Sequence, residues 1–136
     1  MKIKLDDWAF APKRAHDTDA GLDIRAMYDG TVLPGESEIF HTGVHVQLPH
    51  DVMGDIRPKS GLMMNHDILT FGTVDEGYSG EIMVKVFNLG KEPYSIQRGD
   101  KITQLVCTRI VYEDVEIVDE IEGGKRGSNG FGSTGR

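Results

Sequence analysis

Short runs of β-branched and aromatic residues, broken every few positions by turn signals, most limit the folds open to this chain. "KIKL" alternates in polarity, and "SEIF", "GVHVQL", "DIRP", "EIMVKVF", "YSI" and "KITQLVCTRIVY" follow it. Between them stand "LPGES", "LPHD", "NLGKEP" and "QRGD", rich in the Gly, Pro, Asn and Asp residues that bend a backbone. No stretch carries the long 3.6-residue apolar period of an amphipathic helix. The clearest helical piece is "SGLMMNH", beginning at Ser60. This pattern predicts an all-β sandwich or barrel with one short helix.

A length of 136 residues suits one domain. With 38% hydrophobic residues the core is modest, and burial between subunits is expected. No apolar run approaches the roughly 20 residues of a membrane span, and "MKIKLDDWAF" does not read as a signal peptide. The single cysteine, Cys107, cannot form an intrachain disulfide and suits a reducing cytoplasm. Its apolar context, "ITQLVCTRI", predicts a buried, inert thiol. A formal charge of −7 argues against a nucleic-acid polymer as partner, because backbone binding needs a basic field. A small anion held by local Arg and Lys is compatible with that charge, and a divalent cation would then be expected.

His41, His45 and His50 are close in sequence. Strand residues four apart lie about 13 Å apart, whereas the direct ligands of one zinc must all reach it at about 2 Å. In "FHTGVHVQLP" His41 and His45 share the polar face, while Val44, Val46 and Leu48 face inward. These read as solvated strand histidines, and no zinc is assigned.

Four stretches of the body and the tail carry chemistry. In "FGTVDEGYSGEI", Gly72, Gly77 and Gly80 permit tight bends around Asp75 and Tyr78. It reads either as a plain β-hairpin with an Asx turn, or as a hairpin pocket whose backbone reads the edge of a base. "RPKSGL" sets two cations beside a hydroxyl and Gly61; Ser60 either caps the helix or joins Lys59 in holding an anion. "DAGLDIRA" and "RGDKITQL" taken singly are turns into strands, the second with Gln104 on a polar face. The tail, "GGKRGSNGFGSTGR", is too glycine-rich to order by itself, yet it carries a Phe between glycines and Arg on both sides.

In order, "AGLDIRA", "RPKSGL", "GTVDEGYSGE", "RGDKITQL" and "RGSNGFGSTG" resemble the five motifs of the homotrimeric dUTPase family. The resemblance covers nearly the whole chain. It implies a jelly-roll-like distorted β-barrel in a homotrimer, with a body over 1–122 and a flexible arm over 123–136 that closes a neighbour's site. It also implies Mg²⁺-dependent hydrolysis of dUTP to dUMP and pyrophosphate, which keeps uracil out of DNA and supplies the thymidylate precursor.

The roles follow motif by motif. Asp75 is the implied general base, aligning a water for in-line attack on the α-phosphorus. Lys59, Ser60 and Gly61 fall on the phosphate-binding motif, and Gln104 holds the α-phosphate or an ordered water. The backbone of Gly72, Thr73 and Val74 reads uracil, and Tyr78 packs on the deoxyribose. In the tail, Phe131 stacks on the base, Arg126 grips the terminal phosphate, and Gly132, Ser133 and Thr134 lie along the nucleotide. Asp23 belongs to an outer or structural shell, with no protein group assigned as a direct Mg²⁺ ligand. The sequence departs from the family at Lys59, where Arg is common, at Gly77, where an acidic residue is frequent, and at Asn129, where Gly is usual. The related dCTP deaminase group and a nucleotide-gated protein binder are the competing readings; the "VDEGY" and "GFGSTG" segments favour the hydrolase, and nothing in the sequence names a regulatory partner.

Overall fold

The computed structural model describes residues 1–125, 127 and 128. Eleven strands and one helix appear among them. In chain order they are β1 (Lys2–Leu5), β2 (Gly21–Arg25), β3 (Gly30–Val32), β4 (Ser37–Phe40), β5 (Val44–Gln47) and β6 (Val52–Arg57). After these come α1 (Ser60–His66), β7 (Ile68–Thr70), β8 (Gly72–Val74), β9 (Val84–Asn88), β10 (Tyr94–Ile96) and β11 (Lys101–Arg109). The strands form a four-stranded sheet β2-β11-β6-β8, a three-stranded sheet β4-β9-β7, and the pairs β1-β5 and β10-β3. Every pairing is antiparallel. The expected all-β architecture with one short helix is therefore what the chain adopts, and α1 begins at Ser60 as read from sequence.

Alternation explains the strands. In β5 Val44 and Val46 are buried while Gln47 is exposed, and in β9 Val84 and Val86 are buried while Lys85 is exposed. The core joins Ile24, Val32, Val44, Val86, Ile102 and Leu105 from both larger sheets and the small pairs. Long-range pairing holds it together: β11 alone ladders with β2 on one side and β6 on the other. A register shift between Lys101 and Thr103 turns both Ile102 and Thr103 inward. The buried Thr103 hydroxyl is satisfied by Thr70 Oγ1 at 2.7 Å and by donation to the Arg57 carbonyl at 2.8 Å.

Two expectations change. Cys107 is exposed, although it shares a strand face with the fully buried Leu105. The β2 partner ends at Val106, so Cys107–Arg109 pair only with β6 and run past the core. Strand β11 also stops at Arg109, and "EIMVKVF" is strand only from Val84. No helix among the described residues is long and apolar enough to cross a membrane.

Truncation should separate the two halves of β11. Leu105→Ala should lower unfolding free energy by about 2–5 kcal/mol, against roughly 0.5 kcal/mol or less for Cys107→Ser. Denaturant titrations at one fixed protein concentration measure both.

Candidate active site

Four of the quoted stretches meet on the β2-β11-β6-β8 sheet. Gln104 on β11 stands opposite Asp23 on one side and Arg57 on the other. Gln104 Nε2 donates to the Pro58 carbonyl at 3.1 Å. That approach needs Gly21: a Cβ there would fall 2.9 Å from Gln104 Cβ.

Asp23 is the buried charge of this cluster, with 7% of its surface exposed. Lys59 Nζ donates to its Oδ1, and Lys101 Nζ lies 2.6 Å from Oδ2. Burial pushes the Asp23 carboxyl up, but the Lys101 and Lys59 ammoniums outweigh it and hold the group below its ordinary value. Both oxygens thus lie against cations, although the buried Oδ2 has no hydrogen bond of its own. Lys101 was missed in the sequence reading, although it lies within the quoted "RGDKITQL".

Ser60 is the first residue of α1, and the residue before it, Lys59, has extended backbone and no capping side chain. The capping reading of Ser60 is therefore corrected. Its hydroxyl is exposed beside exposed Gly61, where even an added Cβ would meet nothing within 4 Å.

Strand β8 supplies Gly72, Thr73 and Val74, which face Ile56, Asp55 and Gly54 of β6. Among the described residues β8 is an edge strand, so its far side offers backbone N–H and C=O groups outside the ladder. Asp75 follows at once and is exposed. The "FGTVDEGYSGEI" segment is not a self-paired hairpin. Its first arm pairs with β6, and its return arm enters β9 in the other sheet. Between them the Tyr78 amide donates to the Asp75 carbonyl at 3.0 Å, making a turn. Tyr78 is 43% exposed, and its hydroxyl donates to the Glu81 carbonyl at 2.9 Å. The ring lies over Gly80, where a Cβ would come 2.6 Å from Tyr78 Cζ. At Gly77 an added Cβ would meet nothing within 4 Å, so an acidic side chain would fit there.

This loop is anchored by groups the sequence reading did not assign. Glu81 Oε1 accepts from the Thr42 and Gly43 amides at 2.9 and 2.8 Å, and His41 Nδ1 lies 2.8 Å from Oε2. Burial raises the Glu81 carboxyl, and those amides with His41 more than offset it, so it sits below its usual range. His45 and His50 also face the loop. Far from being solvated, the His45 side chain is only 18% exposed. The only advance signal was position: three histidines upstream of an acidic loop.

The cluster of Asp23, Lys59 and Gln104 does not meet Asp75 within one chain. Gly54 faces Val74 while Arg57 faces Gln104, a separation of about 10 Å along β6. Asp75 and Lys59 lie beyond those points in opposite directions. Arg126, Phe131, Gly132, Ser133 and Thr134, with Asn129, lie outside the described residues.

Comparisons with known proteins converge on one family. The dUTPase family model matches residues 7–135. A deoxyuridine 5'-triphosphate nucleotidohydrolase of Gloeothece citriformis is 46% identical, over 99% of this chain and 97% of the relative. The Mus musculus protein of the same name is 41% identical, over 98% of this chain and 83% of the relative. Among solved structures, the Staphylococcus bacteriophage 80alpha dUTPase with dUPNHPP superimposes with a TM-score of 0.93 at 27% identity, covering 99% of this chain and 98% of that one. The dUTPase of S. aureus phage phi11, described with a structural Mg(II) ion, has a TM-score of 0.82 at 25% identity, covering 90% and 98%.

The ion cluster gives a stability test. Because the Asp23 carboxyl is lowered in the fold, its contribution is complete above its unfolded value of about 4 and is lost as pH falls through the folded value. Asp23→Asn should therefore melt below the native chain at neutral pH, with the difference shrinking in acid. Thermal scans at fixed concentration from pH 7 to pH 2.5 measure this.

Proposed function

The chain belongs to the dUTPase family, and we propose that it hydrolyses dUTP to dUMP and pyrophosphate by water attack in line at the α-phosphorus. The observation that carries this reading is the edge strand β8 running directly into an exposed Asp75, with the Tyr78 ring close behind. The free backbone edge at Gly72–Val74 can pair with uracil's O4 acceptor and N3–H donor. Cytosine reverses both polarities, and unpaired buried groups then disfavour it. Tyr78 takes the deoxyribose and leaves no room for a 2′-hydroxyl.

Asp75 accepts a proton from the attacking water as the new P–O bond forms, and the bond to the β-phosphate bridging oxygen breaks to release pyrophosphate. Alignment of the water and charge neutralisation supply much of the acceleration. Ser60, the amide of Gly61 and the Lys59 ammonium contact the α- and β-phosphates. Lys59 gives one donor direction to Asp23 and keeps others for phosphate. Gln104 holds the α-phosphate or a water from the same cluster. Mg²⁺ bound to triphosphate oxygens and water would supply further charge neutralisation, and the engagement of both Asp23 oxygens with lysines fits that arrangement.

The separation of Asp75 from Lys59 along β6 supports a site completed by another copy of the chain, as in a homotrimer. In this reading residues 1–122 form the body and 123–136 the closing arm, with Arg126, Phe131, Gly132, Ser133 and Thr134 engaging the nucleotide. The product dUMP would feed thymidylate synthesis, in a reducing cytoplasm where Cys107 stays a thiol.

Pyrophosphate release with Mg²⁺ should be seen from dUTP and not from dTTP, dCTP or UTP. Asp75→Asn should lower kcat by about 10²–10⁴-fold. Tight dUTP binding by the native chain without release would overturn the hydrolase reading.

A further inference from the structure

His45 and His50 share a feature that the proposed reaction leaves unused: each has both ring nitrogens close to oxygen atoms. His50 Nδ1 makes a 2.8 Å hydrogen-bond contact with Glu76 Oε1, and Nε2 faces Asp51 Oδ1 at 3.3 Å as an ion-pair contact only. His45 Nδ1 lies 3.1 Å from the Ser79 carbonyl, and Nε2 lies 3.0 Å from Asp6 Oδ2. Carbonyl and ionised carboxylate oxygens accept only, and a neutral imidazole has one N–H. Only the imidazolium donates from both nitrogens, so the two hydrogen bonds of His45 call for a charged ring, and at His50 the two carboxylates against the ring favour the same charge.

Both rings grip the same short loop. Glu76 is the residue after the base Asp75, and Ser79 is the residue after Tyr78. Glu76 is further tied by the Asp51 amide at 3.0 Å and by the Tyr112 hydroxyl at 2.8 Å, both to Oε2. The Tyr112 ring also stacks on His50 at 6.3 Å between centroids. Among the described residues, the loop has no strand partner of its own beyond an isolated bridge between His45 and Glu81. Its shape therefore rests largely on side chains outside it.

We propose that His45 and His50 are positioning residues which, as imidazolium ions, hold the 75–80 loop in its reactive shape, His50 acting on Asp75 through Glu76 and His45 on Tyr78 through Ser79. This rests on the dUTPase reading given above. Loss of a ring proton removes one donor from His45 and the charge from the His50–Glu76 contact, and loosens each end of the loop. The groups facing His50 are Glu76, Asp51 and Tyr112, with Asp75 acting on Tyr112 in turn. Those facing His45 are Asp6 and the Ser79 carbonyl, opposed by Lys4, and Lys2 lines the same 230 Å³ cleft. The balance is acidic at His50, with two carboxylates against the ring; at His45 the direct hydrogen bonds to Asp6 and the Ser79 carbonyl outweigh the lysines. The Glu76 hydrogen bond raises His50 above its ordinary value, and the Asp6 hydrogen bond raises His45. Each clamp is therefore complete in mild acid and is lost as pH rises through the raised value.

His50, Asp51 and Glu76 also bring ligand atoms within 4.8 Å of one another. A charged His50 ring against the two carboxylates accounts for that grouping without an ion.

The test combines ring nitrogen NMR with kinetics on the full chain between pH 5.5 and 9. Both rings should carry two protons in mild acid and titrate above pH 6.5. The amide signals of Glu76 and Ser79 should move with the matching ring. For dUTP turnover, native kcat should fall by about fivefold as pH rises through the His50 midpoint. His50→Gln should show that lower kcat throughout, with no such step and KM within about twofold of native. His45→Gln should instead raise KM by about fivefold. Singly protonated rings at pH 6, or variant profiles parallel to the native one, would overturn the proposal. A native chain that releases no pyrophosphate at any pH would refute the hydrolase reading, and the ring and amide titrations would then decide the clamp by themselves.

Discussion

The placement of the Asp23, Lys59 and Gln104 cluster depends on strand β11 being paired on both sides at once. Its ladder with β2 sets Gln104 beside Asp23, and its ladder with β6 sets the same residue beside Arg57, two residues before Lys59. Because the side-chain period of a strand is two, a slip of one residue in either ladder would reverse every face. Leu105 and Ile24 would leave the core, and the Asp23 cluster would come apart. The register is held by burial, and the polar cluster inherits its geometry from it. Gly21 and Gly54 allow the close approach: a Cβ at Gly54 would fall 2.7 Å from Leu105 Cδ1.

Charge is distributed locally against the overall sign. The chain carries a net −7, yet Asp23 draws Lys59 and Lys101 to one spot. A buried carboxylate by itself would favour its neutral form, and one lysine would leave an oxygen uncompensated. Two ammoniums on one carboxylate leave an excess positive charge at the sheet surface beside Gln104 and Ser60. Such a patch can meet a phosphate without making the whole molecule basic.

Much of this was legible in the sequence where the signal was local. The start of α1 followed from a short apolar piece after Pro58, and the inward face of β5 from the alternation of Val44 and Val46. The exposure of Cys107 was not legible, because it depends on where the partner strand β2 ends and not on the neighbours of Cys107 in the chain. The pairing of β8 with β6 was hidden for a similar reason. Glycines in "FGTVDEGYSGEI" announce bends, and a bend can close a hairpin or cross between sheets with the same residues. Lys101 and Glu81 were missed because their partners, Asp23 and the Thr42–Gly43 amides, come from distant parts of the chain.

That crossing also explains why the Asp75 loop is built as it is. A hairpin would fix Asp75 and Tyr78 by its own ladder, but it would also consume the backbone edge of β8. Among the described residues β8 pairs only with β6, and with the return arm sent to β9 that edge stays free. The loop then lacks ladder support and must be held by side chains from outside. Glu81 reaches the Thr42 and Gly43 amides, and histidines from the segment around β5 reach Glu76 and Ser79. An exposed strand edge and an externally anchored loop are thus two consequences of one topological choice.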